Sequence, residues 1–149
     1  MSSTTTSGSS NQAETVPRPL RILIVDDNRE SAISLSEAVE DFGDMADICF
    51  SGAEAVARVK SARPDVLLLD VSMPGIDGLE VAHALRSQPG LNGLKIIAVT
   101  AYGDADARQK TAAAGFDLHL TKPVRFSVLE DMLDLLRRTP QARDDLTKP

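Results

Sequence analysis

The chain has 149 residues, a formal net charge of −6 and a single cysteine. Its length fits one domain with a core large enough to fold alone. An acidic chain is not attracted to nucleic acid or to an anionic membrane surface, and it has only four Phe, one Tyr and no Trp for stacking bases. We therefore expect neither nucleic acid nor a membrane among its partners.

The number of cysteines and the lack of targeting signals predict the cellular compartment. Cys49 is the only cysteine, which excludes an internal disulfide and a zinc site of paired cysteines. Residues 1–19 lack the positive start and apolar stretch of a secretory signal, and no run of about 18 apolar residues predicts a membrane span. We expect a cytoplasmic protein.

Three regions of the chain differ in composition. Residues 1–19 are rich in Ser and Thr and are predicted to be a disordered arm, and residues 139–149 are predicted to be a short charged tail. Between them, residues 20–138 alternate short apolar runs with longer segments of helical period. This alternation predicts an α/β domain of about five strand–helix units.

Five apolar runs are predicted to be strands. Three of them are almost continuous in Val, Ile and Leu, as expected for strands covered on both faces of a parallel sheet. These are residues 20–25, 66–69 and 96–99, and the shorter or more mixed runs are residues 45–50 and 118–120.

Capping residues and periodicity predict the helices. Ser51 with Glu54, and Asp77 with Glu80, have the spacing of capping boxes. Residues 104–114 are mostly Ala and polar residues, so their helix is expected to pack lightly. The last helix has an apolar stripe of Leu129, Met132, Leu133 and Leu136, which Val128 and Leu135 are expected to widen.

Short motifs with polar side chains stand where four of the predicted strands end. In chain order they are Asp26-Asp27, Asp70, Thr100-Ala101 and Lys122-Pro123. The carboxyl ends of parallel strands lie at one edge of a sheet, and ligands of open α/β sheets bind outside that edge. Three carboxylates, a hydroxyl and an ammonium would meet there, which suits a divalent cation and a phosphoryl group.

The charges of this cluster require compensation. Two unit charges about 4 Å apart at an effective dielectric constant near 20 interact by roughly 4 kcal/mol, so three neighbouring carboxylates repel strongly. Mg²⁺ takes oxygen ligands and commonly binds through one or two carboxylates and a phosphate. We predict a magnesium site at Asp26, Asp27 and Asp70.

Each acidic motif alone has a simpler interpretation. Asp27 or Asn28 caps the first helix, because Asp27 with Glu30 also has capping-box spacing, and Asp70 merely starts a turn. A cap does not need Asp26, whose charge beside Asp27 is a cost without a ligand. The four motifs together favour the shared site.

Asp70 is the candidate nucleophile. A carboxylate at a metal can attack phosphorus and form an aspartyl phosphate. The transferring group spreads its charge over its oxygens, so catalysis depends on cations and donors that face them. Lys122 and Mg²⁺ are the candidate cations, and the Thr100 hydroxyl and the Ala101 backbone N–H are the candidate donors.

These motifs resemble those of response-regulator receiver domains. The matching segments are IVDDN at residues 24–28, LDVSMPGIDG at residues 69–78, Thr100-Ala101 and Lys122-Pro123. The resemblance covers about residues 20–138 and implies a (βα)5 flavodoxin-like α/β fold, a five-stranded parallel sheet with helices on both faces. It also implies a chain that accepts a phosphoryl group from a phosphohistidine on a sensor histidine kinase or a histidine phosphotransfer protein.

The resemblance gives roles to individual residues. Asp70 would be phosphorylated, and Mg²⁺ would bind Asp27, Asp70 and the carbonyl of Ser72, with Asp26 assisting through water. Lys122 would pair with the phosphoryl group. The chain would catalyse only its own phosphorylation and dephosphorylation, so it is not expected to be an enzyme in the usual sense.

The family's switch combines two side chains. By resemblance, Thr100 would supply the hydroxyl, and in the family an aromatic residue three positions before the lysine turns inward when that hydroxyl moves. His119 stands at the aromatic position here, which is a departure from the family. We hypothesise that His119 couples switching to pH, because the reference pKa of histidine is near 6.5; a partly exposed His119 without this role is the alternative.

The resemblance also indicates how a signal leaves the molecule. Phosphorylation would bias the surface of the fourth helix, fifth strand and fifth helix, where a downstream protein would bind. We expect a monomer or a weak phosphorylation-dependent dimer, and Met1 with its arm favours a stand-alone regulator over part of a larger kinase. Tyr102 is predicted to shield the phosphoryl group, so that Tyr102→Ala shortens its lifetime, and Lys122-Pro123 is expected to be cis as in the family.

Three other interpretations compete with this one. A haloacid-dehalogenase-like phosphatase also uses a strand-end Asp as nucleophile, but Ser72 stands where its second Asp would act as acid and base. A flavodoxin is disfavoured because Asp26 and Asp27 would repel a flavin phosphate. A receiver-like module that is never phosphorylated would not need the complete acidic, Thr and Lys set.

Overall fold

The structure, a computed structural model, describes residues 19–72, 77–91, 93–101 and 103–138. Tyr102, the predicted tail and all of the predicted arm except Pro19 lie outside the described residues. Within the described ranges, no helix combines the length and the apolar character needed to span a membrane.

The predicted strands are confirmed, and their ends differ from the prediction by at most one residue. They are β1 (Arg21–Val25), β2 (Met45–Cys49), β3 (Val66–Asp70), β4 (Lys95–Thr100) and β5 (Leu118–Thr121). All pairings are parallel, in the order β2-β1-β3-β4-β5. The central strand β3 is buried along its whole length, as its unbroken apolar run predicted.

Helices cover both faces of the sheet. They are α1 (Arg29–Asp41), α2 (Gly52–Ala62), α3 (Gly78–Arg86), α4 (Ala105–Ala114) and α5 (Phe126–Arg138). Successive residues of β1 point to opposite faces, so Ile22 and Ile24 pack with α1 and α5, whereas Leu23 and Val25 pack with α2 and α3. Ala114 of α4 packs on the same side of the sheet as Leu23 and Val25. This arrangement is the (βα)5 flavodoxin-like fold that the motifs implied.

Caps at two helix starts test whether Asp27 and Asp77 cap helices. The N-cap of α1 is Asn28 and not Asp27, since the Asn28 side chain accepts a hydrogen bond from the Ser31 N–H at 2.9 Å. Asp77 and Glu80 form the predicted reciprocal capping box at the start of α3. Capping therefore does not account for Asp27.

Two helix predictions need correction. Ser51 caps α2 by accepting from the Glu54 N–H, but the Glu54 carboxylate accepts from the Phe50 N–H, one residue before the cap, so the box is not reciprocal. Val128 and Leu135 of α5 are 36% and 50% exposed and do not widen the buried stripe. They lie on the flank of the helix, because the buried stripe already fills the contact with the sheet.

A buried ion pair joins the last turn of α5 to the connection between α1 and β2. Arg137 donates from both terminal nitrogens to the two carboxylate oxygens of Asp44. The Asp44 side chain is 0% exposed, and it also accepts from the Leu20 N–H at 3.0 Å. Because Leu20 precedes β1 and Asp44 precedes β2, the pair lies at the amino ends of the strands.

Candidate functional site

The three predicted carboxylates meet at the carboxyl ends of β1 and β3. Val25 and Leu69 are register partners, so Asp26, which follows β1, lies beside Asp70, the last residue of β3. Asp26, Asp27 and Asp70 each place a carboxylate oxygen within 4.8 Å of the others. The predicted cluster therefore forms, with two buried members and an exposed Asp27.

Asp26 is held in a position that is costly for a carboxylate. It is 2% exposed, and one of its oxygens accepts from the Asn28 N–H at 2.9 Å. Burial raises the pKa of Asp26, and the Asp70 carboxylate raises it further, while the Asn28 N–H and the Lys122 ammonium act in the opposite direction. The site therefore has less positive charge than its carboxylates would need.

Lys122 supplies a cation directly at Asp70. Its Nζ lies 3.3 Å from Asp70 Oδ2, and the other oxygen of Asp70 accepts from the Ser72 N–H at 3.1 Å. The Asp70 side chain is 4% exposed, whereas the Lys122 side chain is 35% exposed. The ammonium therefore approaches the Asp70 carboxylate from the open side of the site. Ser72, two residues after Asp70, is exposed.

The β4 end supplies the predicted hydroxyl and backbone donor. Thr100 is the last residue of β4 and is 2% exposed, and Ala101 follows it at the surface. The Thr100 carbonyl accepts from the Lys122 N–H at 2.7 Å, so the chain carrying the lysine is fixed to the end of β4. The Lys122-Pro123 peptide bond is cis, as expected from the sequence.

His119 lies on β5 and faces α4. The residue is half-buried, and its Nδ1 is 3.3 Å from the Thr111 Oγ1. Its register partner on β4 is Ala98, two residues before Thr100. The structure therefore places His119 between the β4 end and α4, next to a groove that Phe116 and Met132 also line.

Gly78 is a site residue that the sequence analysis did not single out. A Cβ at this position would lie 2.5 Å from the Asp70 carbonyl oxygen and 2.6 Å from the Val71 Cα. The Gly78 N–H also donates to the Val71 carbonyl at 3.0 Å. The start of α3 can approach the end of β3 only because Gly78 has no side chain. A glycine directly after the Asp77 cap was the available signal.

Comparison with known families now identifies the chain. A family described as the response regulator receiver domain matches residues 22–134. The chain belongs to this family. The response regulator MprA of Mycobacterium ulcerans (strain Agy99) is 39% identical over 127 residues, which are 85% of this chain and 54% of the relative. This receiver domain thus spans about half the length of the curated relatives that it matches.

Solved structures give the same likeness. The receiver domain of Francisella response regulator 1452 aligns with a TM-score of 0.75 at 26% identity, over 80% of this chain and 97% of that one. The Vibrio cholerae chemotaxis protein CheY4 aligns with a TM-score of 0.75 at 28% identity, over 80% of this chain and 99% of CheY4. The haloacid-dehalogenase-like alternative receives no support from these matches, and the two-component signalling family is established.

The donor set of this receiver domain fits Mg²⁺. Carboxylate oxygens are ligands of hard divalent cations, and three of them lie close enough together to share one. A cation would also offset the negative charge of Asp26, which its burial and the neighbouring Asp70 carboxylate disfavour, as the raised pKa of Asp26 indicates. The site residues could therefore hold the ion that the family implies.

Proposed function

We propose that this receiver domain is the phosphoryl acceptor of a two-component phosphorelay, with Asp70 as the phosphorylated residue. The observation that carries the proposal is the 3.3 Å approach of Lys122 Nζ to Asp70 Oδ2, within a cluster of three carboxylates. A nucleophile, a divalent-cation site and a fixed ammonium are what phosphoryl transfer to a carboxylate requires.

The transfer step follows from the donor's chemistry. A carboxylate oxygen of Asp70 attacks the phosphorus of a phosphohistidine, and the P–N bond breaks as the P–O bond forms. The leaving imidazole keeps the bonding electron pair and takes up a proton. Lys122 donates to a phosphoryl oxygen, and the Thr100 hydroxyl and the Ala101 N–H are the proposed further donors.

Four residues are proposed to hold the cation. Asp27, Asp70 and the carbonyl of Ser72 are the ligands, and Asp26 assists through water. When bound, Mg²⁺ would offset the carboxylate charge and part of the charge on the transferring oxygens. The crowding of the three carboxylates supports this assignment, because without a cation their mutual repulsion opposes the fold.

The partners follow from the proposed chemistry. The phosphoryl donor is a sensor histidine kinase or a histidine phosphotransfer protein, and a downstream protein binds the surface formed by α4, β5 and α5. Thr100 and His119 connect the phosphoryl group to that surface, because one ends β4 and the other lies on β5 against α4. A partner that prefers one state of this surface would read the phosphorylation state.

Intact-mass spectrometry tests the proposal. The protein is incubated with Mg²⁺ and acetyl phosphate, or with phosphoramidate, whose P–N bond imitates phosphohistidine. We expect one added phosphoryl group, which is lost when EDTA replaces Mg²⁺ and is absent in Asp70→Asn. Asp41→Asn is the matched control, because Asp41 is an exposed carboxylate and ends α1, which begins near the carboxyl end of β1 and leads back to the amino end of β2.

Two outcomes would contradict the proposal. One is a phosphoryl group that still forms on Asp70→Asn, which would place the acceptor elsewhere. The other is a folded wild-type chain that takes up no phosphoryl group from either donor. Circular dichroism of each variant establishes that the fold is retained.

A further inference from the structure

The fourth helix is packed unusually lightly. All ten residues of α4 are described, and Thr111 is its one buried residue, whereas the nine-residue α3 buries Gly78, Val81, Ala82 and Leu85. Helices in proteins are stabilised mainly by packing of an apolar face. The position of α4 therefore depends strongly on polar contacts with other elements, and two places where these occur are its carboxyl end and Thr111. Its amino end is held by local bonds, the Asp104 cap and the Arg108 Nε bond to the Gly103 carbonyl at 3.1 Å.

The first place is the carboxyl end of α4, where Arg86 forms an anchor. Its Nε donates to the carbonyl of Gly115, the residue that ends the helix, at 2.9 Å. Its Nη1 donates to the Leu94 carbonyl at 2.8 Å, and its Nη2 lies 2.6 Å from Asp117 Oδ2. The same Asp117 oxygen accepts from the Ile96 N–H at 2.8 Å, so the anchor is continuous with β4.

The second place is the contact between Thr111 and His119 in the middle of the helix. The Thr111 hydroxyl donates to the Arg108 carbonyl at 3.0 Å, so its one proton is already used. With the hydroxyl proton directed at Arg108, the Thr111 oxygen lies 3.3 Å from His119 Nδ1 and accepts from it in the form that carries a proton there. This contact requires a proton on Nδ1, and both the neutral Nδ1–H form and the imidazolium supply it.

Open space lies on both sides of Thr111. A cavity towards the site is lined by Val71, Leu79, Thr100, Asp104 and Ala107 together with Thr111. A groove on the other side is lined by His119, Phe116 and Met132, again together with Thr111. Because the helix borders a cavity rather than a packed core, its amino-terminal half can shift without removing buried apolar contacts.

We propose that α4 pivots about the Arg86 anchor and that the Thr111–His119 contact determines whether its amino-terminal half can move. When the contact opens, the half of the helix next to Thr100 is released, while the end at Gly115 stays in place. Thr111 is thus a positioning residue that controls the mobility of α4. The proposal concerns the unphosphorylated chain and does not depend on the proposed phosphoryl transfer.

Hydrogen exchange of the full chain, followed by mass spectrometry, tests this pivot. Thr111→Val keeps the shape of the side chain and removes the hydroxyl. We expect exchange in peptides from residues 105–112 to be faster by about fivefold, as for the loss of one net hydrogen bond. Exchange in β4 and α5 should stay unchanged, and Thr111→Ser should restore the wild-type rate.

A matched control and a double variant separate the contact from a local effect on the helix. Ser36→Ala in α1 removes a side-chain bond to the carbonyl three residues earlier, the same local bond that Thr111 makes, and should leave α4 unaffected. His119→Phe removes the other partner of the contact. Exchange of α4 in Thr111→Val/His119→Phe should equal that of Thr111→Val alone, because Thr111→Val has already removed the interaction with His119.

The results that would overturn the pivot are specific. Wild-type exchange of α4 in Thr111→Val would show that the contact does not hold the helix. Fully additive effects in the double variant would show that the two residues act separately. If Thr111→Val raises exchange equally in α5 and the sheet, the hydroxyl supports the whole fold and the pivot is wrong.

Discussion

Asp26 is buried beside Asp70, and burial raises the pKa of its carboxyl group. A carboxyl group whose pKa is higher in the folded chain than in the unfolded chain opposes folding once the pH exceeds the unfolded value. The residue is therefore a cost to the metal-free protein at neutral pH. That cost is understandable if the carboxylate is kept for a cation.

Asp26→Asn should stabilise the metal-free protein at pH 7 by about 1 kcal/mol, because it removes a buried charge. The amide oxygen of the new side chain can still accept from the Asn28 N–H. The same change should weaken the stabilisation that Mg²⁺ gives. Urea unfolding in EDTA and in excess Mg²⁺ measures both effects, and a variant less stable than wild type in EDTA would contradict the argument.

Cys49, like Asp26, is expected to make the folded chain less stable as the pH rises, but in a higher pH range. It is 0% exposed, and burial, together with the Glu54 charge, raises its thiol pKa to about 11. The unfolded thiol ionises near pH 9, so between about pH 9 and 11 the unfolded chain releases a proton that the folded chain retains. Stability contributed by the neutral thiol is present below this window and is lost across it.

Cys49→Ala should therefore show a flatter loss of stability above pH 9. Relative to the variant, wild type should lose up to about 2 kcal/mol of unfolding free energy across the window. Urea unfolding at pH 8 and pH 10.5 measures the difference. Any cavity left by the substitution adds a constant offset, so parallel pH dependences would disprove the role of the thiol.

Between β3 and α3, the backbone approaches closely at Asp70, the proposed phosphoryl acceptor. Gly78→Ala would place a methyl group against the backbone of Asp70 and Val71. We expect a loss of about 1–3 kcal/mol in stability and at least about tenfold slower phosphorylation by acetyl phosphate, because the nucleophile moves with the strand.

Gly43→Ala is the control for this element-scale prediction. Gly43 follows α1 at a φ of 95°, and a Cβ there meets nothing within 4 Å. It should cost about 1 kcal/mol through backbone strain alone and leave phosphorylation unchanged. Equal rates in the two variants would mean that the Gly78 contact does not position Asp70.

At the scale of the whole molecule, the Asp44–Arg137 pair holds α5 to the edge of the sheet opposite the site. Arg137→Met should lower the free energy of unfolding by about 3 kcal/mol, because it leaves Asp44 charged and buried without its partner. Phosphorylation of the folded variant should be normal. Urea unfolding measures the stability, and acetyl phosphate labelling measures the phosphorylation rate. An unchanged urea midpoint or a slower labelling rate would contradict the prediction that this pair stabilises the fold without affecting the site.

The sequence predicted the sheet and its reactive edge because both depend on local signals. Five apolar runs became five strands, and a parallel arrangement alone brings Asp26, Asp70 and Lys122 to one edge. The light packing of α4 followed from its composition, and Thr111 is indeed the single buried residue among the ten described in that helix. The motifs resembled the family that the comparisons then identified.

The sequence could not predict contacts between residues far apart in the chain. Asp44 and Arg137 are 93 positions apart, and neither has a periodic or motif signal for the other. Arg86 and Asp117 meet across 31 positions for the same reason. The exposure of Leu135 was missed because periodicity gives a helix face but not how wide a contact its neighbours leave.

The buried thiol also makes the molecule convenient for spectroscopy. Because Cys49 is the chain's single cysteine and is shielded in the fold, a second cysteine placed at the surface would be the one that reacts with maleimide dyes or spin labels at neutral pH. Met45→Cys, at a residue that is 57% exposed, would carry such a probe at the amino end of β2, whereas Asp26, Asp27 and Asp70 lie at the carboxyl ends of the strands. Conformational changes could then be followed in the otherwise native sequence.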